Sequence, residues 1–180
     1  MKTKLPVWLS VVIALVLVAF GLLYGTWAGY SEDRAEVNAL LTMENGLMDV
    51  LGYRASDGFN LCAVAKRHLP ADDTDLLALQ TASQTLRDAR ELSLCKTADD
   101  ALSQALSAVS AKLQETSTFQ QSQRDKNYLA MLTADLNNLS ASAAVTTYNA
   151  AASGFNQKLD APLSGMLARM LGMQTCPLYE

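Results

Sequence analysis

The chain carries a single histidine, His68, so a zinc site or a two-His facial triad has too few donors. Its three cysteines, Cys62, Cys95 and Cys176, fall at no C-x-x-C spacing. The Glu and Glu-x-x-His pattern of di-iron helical proteins is missing. So are a glycine-rich phosphate loop and a G-x-S-x-G elbow. These absences predict a protein that is not an enzyme, with no catalytic residue, no metal and no cofactor. A basic stripe is missing as well. Lys2 and Lys4 are the only charges before Glu32, so against −4 overall the rest of the chain carries −6. Phosphate backbones are bound by Lys and Arg, so no nucleic acid is expected as a partner. Anionic lipid would repel this part of the chain weakly.

The remaining polar groupings have plain structural readings. Asp72, Asp73 and Asp75 lack the spaced oxygen ligands and closing Glu of a calcium loop; they read as helix caps. His68, beside Lys66 and Arg67, reads as a surface or helix-terminus residue. The three cysteines read as buried free thiols. The alternative is one disulfide, such as Cys62–Cys95, plus a spare thiol, in an oxidising compartment. Sequence spacing does not choose the pair.

Charge is also missing from Leu5 to Ala28, LPVWLSVVIALVLVAFGLLYGTWA, a run of 24 residues. As a helix it spans roughly 36 Å, enough for a hydrocarbon core of about 30 Å. Trp8 lies near one end and Tyr24, Trp27 and Tyr30 near the other, where water–lipid interfaces favour amphipathic aromatics. A cleaved signal peptide is the rival reading. The run is too long for one, and bulky Tyr24 and Trp27 sit where cleavage would fall. An uncleaved transmembrane anchor is expected at residues 5–28, preceded by a short basic N-terminus at 1–4. Lys2 and Lys4 on one side, with Glu32 and Asp33 on the other, put the N-terminus in the cytoplasm and residues 31–180 outside.

Between Ala71 and Ser153 there is neither Gly nor Pro, the strongest breakers of regular structure. Ala, Leu, Gln and Ser dominate there and β-branched residues are sparse, so helices are expected throughout. One helix is predicted from Ser31 to the residue before Pro70, with Gly46, Gly52 and Gly58 permitting close packing or a bend. A second covers Thr74 to Leu94. A third starts at Thr97-Ala-Asp-Asp100, a cap followed by acids. A loop falls at residues 115–123. A long fourth helix runs from Arg124 to Leu159, its apolar stripe beginning at Tyr128. After Pro162 a short helix spans Leu163 to Leu171. The predicted fold class is all-α. A transmembrane helix precedes an antiparallel long-helix, four-helix-type bundle at residues 31–180, closed by a short C-terminal helix.

One segment departs from generic helix: Tyr148-Asn149 followed seven residues later by Phe155-Asn156. Seven residues are two helical turns, so both aromatic–Asn pairs share a face. In one reading the aromatics fill the core and the amides bond across helices or to the C-terminal tail. In the other, the four form a docking face for the tail or a partner.

With Pro162, the short helix ending at Leu171-Gly172 and a C-terminal aromatic, this pattern resembles that of the LemA family of bacterial membrane-anchored proteins. Asn127 to Leu136, Arg54 with Asn60-Leu61 and Val64, and Ala89-Arg90 are similar to family segments too. The resemblance covers nearly the whole chain, anchor included. It departs at Phe59, where the family has proline, at the reduced basic run around Arg54, near Phe119, where the Tyr-Pro is missing, and at Ala161-Pro162, where the family has Phe-Pro. The resemblance implies a long-helix bundle behind a transmembrane helix, no established enzymatic activity and no catalytic residues to carry over. The expected function is that of a single-pass cytoplasmic-membrane protein acting as an envelope interaction or adaptor module with a protein partner. The alternative is an extracytoplasmic ligand-binding or sensory bundle acting with a partner protein.

Overall fold

The computed structural model describes residues 6–140 and 142–180, with the side chains of 139 and 140 left aside. Lys2, Lys4 and Ala141 thus lie outside the described residues. Every helix and strand element among them is α-helical: α1 Val7–Thr42, α2 Leu47–Ala65, α3 Thr74–Asp88, α4 Leu92–Glu115, α5 Ser117–Gln120, α6 Gln123–Ser140, α7 Ala143–Leu159 and α8 Ser164–Met170. The chain divides into two compact units. One comprises residues 1–38 and 151–176; the other comprises 39–150 and 177–180.

In the first unit, α1 is long and apolar enough to cross a membrane. Its 36 residues give a rod of about 54 Å. No residue from Val7 to Gly29 is buried. Burial begins at Tyr30 and returns at Val37. Ala152, Phe155, Leu159, Ala168 and Met173 are also buried in this unit. The Tyr30 and Phe155 rings meet edge-on at 6.3 Å. Gly165, the second residue of α8, lies so close to the Leu159 carbonyl that a Cβ would collide with it. At the other end Gly172 takes φ +89°. There Met173 N–H donates to the Ala168 carbonyl at 3.0 Å and Gly172 N–H to that of Arg169 at 3.0 Å. That pair of bonds is the Schellman stop, and it turns the chain back toward α7.

In the second unit, α2 packs on α3, α4 and α6, α3 on α4, and the short α5 joins α4 to α6. The buried leucines Leu61, Leu76, Leu79, Leu102 and Leu136 line these contacts. Gly58 lets α2 approach closely: a Cβ there would run into the Ser83 side chain and lie 2.8 Å from Leu102 Cδ1. Asp73 caps α3, its carboxylate accepting from the amides of Asp75 and Leu76 at 3.0 and 3.1 Å.

Several predicted boundaries are corrected: α1 runs straight through Ser31, where a helix start was expected, and the loop expected at residues 115–123 contains α5. The first long helix does not run through residues 43–46. Asn45 adopts φ +60°, Gly46 is extended, and the carbonyls of Leu40 and Met43 leave no room for a Cβ there. The same helix ends at Ala65, before Pro70 is reached. The second helix stops at Asp88 because Ala89 and Glu91 are extended, and the third begins at Leu92, not Thr97. Starting early puts Leu92 and Cys95 on the buried face with Ala98 and Leu102. The long fourth helix is two helices: Ser142 caps α7, its hydroxyl accepting from Ala144 N–H at 3.2 Å. Tyr128 is exposed, and Leu129 takes the buried position expected of it.

Candidate functional site

Three of the four motif residues bond the C-terminal tail. Within the second unit, the Asn149 amide donates to the Tyr179 carbonyl and accepts from the Tyr179 N–H, both at 2.9 Å. Tyr148 donates its hydroxyl to the Pro177 carbonyl at 2.8 Å. Within the first unit, Asn156 does the same for Cys176, donating at 2.9 Å and accepting at 2.8 Å. Phe155 is buried against Tyr30. Each asparagine therefore satisfies both backbone groups of one tail residue, as a neighbouring β-strand would. Tyr148 is 1% exposed and Phe155 2% exposed, so both rings face inward.

Sequence reasoning missed the polar centre beside the second unit's clamp. Arg54 on α2 is buried and pairs through Nε with the Asp99 carboxylate on α4. Its other nitrogens donate to the Leu136 carbonyl on α6 and to the Ser103 hydroxyl at 2.9 Å. Tyr179 closes the group by donating its hydroxyl to Asp99 Oδ2 at 2.9 Å. Burial, then the Asp99 charge, hold the Tyr179 hydroxyl well above the ordinary tyrosine range. A cavity of about 280 Å³ opens here, lined by Arg54, Lys96, Asp99, Ser103, Val145 and Tyr179. The sequence offered one signal, Arg54, in the family-like segment. Asp99 was hidden as one of two acids at an expected helix start.

His68 is not a surface residue. Its side chain is 6% exposed, with Nε2 at 2.8 Å from Asp125 Oδ2 and Nδ1 at 3.1 Å from the Thr118 hydroxyl. Arg67 and Ser122 also bond Asp125, whose carboxyl is held below the usual range, chiefly by His68. The Phe119 ring lies edge-on to the imidazole at 5.4 Å. The group pins the chain after α2 to α5 and α6.

No family model matches this chain, and no curated protein or solved structure matches it.

Cys62, Cys95 and Cys176 are each buried as free thiols, and burial raises the pKa of all three. Such thiols resist forming the reactive thiolate. Among the described residues, no three His, Cys, Asp or Glu side chains are grouped to hold a metal ion.

The second unit also has an exposed groove. Asn60, Ala63, Val64 and Arg67 of the α2 side face Tyr128, Met131 and Leu132 of α6 across about 360 Å³. Tyr128 and Met131 are 43% and 50% exposed. Arg124 stacks over the Tyr128 ring at 5.7 Å.

Proposed function

We propose that this protein is a single-pass membrane protein of the LemA type. In this reading a helical bundle stands outside the cytoplasmic membrane and serves as an adaptor for another envelope protein. One observation carries the adaptor part: the exposed Tyr128–Met131 groove with Arg67 and Arg124 at its edges. Tyr, Met and Arg are the side chains enriched in the centres of protein interfaces; Tyr128 and Met131 are exposed, and Arg67 stays partly exposed while pairing with Asp125. The groove falls partly in Asn127 to Leu136, one of the family-like segments. The anchor part is supported by an α1 whose apolar length is uncovered from Val7 to Gly29.

The test is a crosslinking pull-down from native membranes with the full-length tagged chain, alongside Tyr128→Asp and Met131→Asp. An envelope protein recovered with the wild type and lost with both variants, at unchanged helicity, supports the adaptor. Recovery of the chain alone overturns it.

A second reading is favoured by the cavity at Arg54 and Tyr179: an extracytoplasmic ligand-binding bundle that signals through a partner. A thermal shift by small polar carboxylates or amines, abolished in a folded Val145→Trp variant that fills the cavity, would support it. No shift across such a panel would end it.

A further inference from the structure

The short helix α8 presents an apolar face that nothing in its own unit covers. Leu163, Met166, Met170 and Leu171 are 75%, 52%, 76% and 36% exposed. Their spacing of three, four and one places them on one side of a helix. The helix also carries Arg169, paired with Asp160, so its apolar face has a charged border. A groove of about 460 Å³ runs beside Met166 and Met170, floored by Leu159, Ala161 and Pro162.

The position of this face says what covers it. Tyr30 stands just past the apolar run of α1 and donates its hydroxyl to the Lys158 carbonyl at 2.7 Å, at the end of α7. It lies 3.2 Å from the Ser164 hydroxyl, the first residue of α8. Ala161 and Ser164 share a cavity wall with Gly25 and Thr26, which lie within the apolar run itself. Lys158 pairs with Asp33 at 2.9 Å, one turn further along α1. The start of α8 is thus fixed at the level where the apolar run ends, and Ala161 lines both this cavity and the groove beside Met166 and Met170.

We infer that α8 is an interfacial helix: Leu163, Met166 and Met170 insert into the headgroup–acyl boundary of the bilayer that α1 crosses. The inference rests on reading α1 as a membrane span. Amphipathic helices in this setting bury their apolar side about 5–10 Å below the headgroups. A rod crossing a membrane alone is free to tilt and swivel. A second contact beside it fixes the tilt and rotation of the first unit.

The test uses the full-length chain in nanodiscs made with and without lipids brominated along the acyl chain. Two single-tryptophan proteins are compared. One keeps Trp27 and carries Trp8→Phe; the other carries Trp8→Phe, Trp27→Phe and Met166→Trp. The expected result is quenching of about two-fold or more by brominated lipid in both, with blue-shifted emission from position 166. If Trp27 is quenched and position 166 is not, the span stands and the interfacial helix is overturned. Blue-shifted emission from position 166 without lipid quenching overturns it too, and assigns the face to a second copy of the chain. If Trp27 escapes quenching, the membrane reading itself fails. Should the Met166→Trp protein lose helicity, Met170→Trp at the more exposed position carries the same comparison.

Discussion

Asn149 and Asn156 were legible as a pair because they recur at a helical interval, and the C-terminal tail was among the partners expected for them. A side-chain amide both donates and accepts, and each asparagine uses both functions on the backbone of one tail residue. Asn149→Asp keeps the shape and the acceptor but loses the donor. It is expected to cost about 1–3 kcal/mol, nearly as much as Asn149→Ala, read from urea unfolding. An aspartate variant as stable as wild type would mean the clamp contributes nothing. Asp99 was illegible for a different reason: a buried carboxylate and an exposed one look alike in sequence, and Asp100 beside it is exposed. Removing Asp99 strands Arg54 without its anion, so Asp99→Ala is expected to destabilise by about 3–5 kcal/mol. The joint replacement Arg54→Met with Asp99→Leu should recover most of that loss. Tyr179 adds a pH signature. Its raised pKa means the folded state keeps a proton that the unfolded chain releases above the ordinary value of 10.0. Its contribution is intact below that pH and falls as pH rises beyond it, by up to about 1.4 kcal/mol per unit. Stability curves taken between about pH 8 and pH 11 should lose that part of the slope in Tyr179→Phe.

At the scale of elements, the all-helical character was readable from the long stretch without Gly or Pro, and the helix ends were not. The breaks at Ala89–Glu91 and Ser142 use no strong breaker. A serine hydroxyl that bonds the next turn, or a leucine that has to reach the core, decides them through tertiary packing. Two glycines of α2 show how differently one residue type is used. Gly58 sits against Ser83 and Leu102, while a Cβ added at Gly52 would meet no atom within 4 Å. Gly58→Ala is therefore expected to cost about 1–3 kcal/mol through overpacking. Gly52→Ala should instead stabilise by up to about 1 kcal/mol by restricting the unfolded chain. Urea midpoints of the two variants, measured side by side, check the opposite signs.

For the whole molecule, the long apolar N-terminal helix was the most legible feature, because hydrophobic length is a one-dimensional property. The full-length chain is expected to stay with membranes through alkaline carbonate washing, and residues 31–180 alone to be released. Fractionation and immunoblotting decide it; a full-length chain in the carbonate supernatant would exclude a span. The exposed groove at Tyr128 and the apolar face of α8 were not legible. Both consist of apolar side chains at helical spacing, which in sequence are indistinguishable from core.

The tail clamps also have a consequence for the order in which the protein is made. Arg54 and Asp99 leave the ribosome long before Tyr179, which follows Asp99 by 80 residues. Throughout that interval the ion pair lacks its third member, and the Asn149 amide waits for a backbone not yet synthesised. A premature stop codon just before Pro177 would spare every helix and still leave Asn149, Tyr148 and Asp99 without their tail partners. Loss of Pro177 and Tyr179 would then be as damaging as a substitution deep in the core, and the truncated chain would be a target for proteolysis.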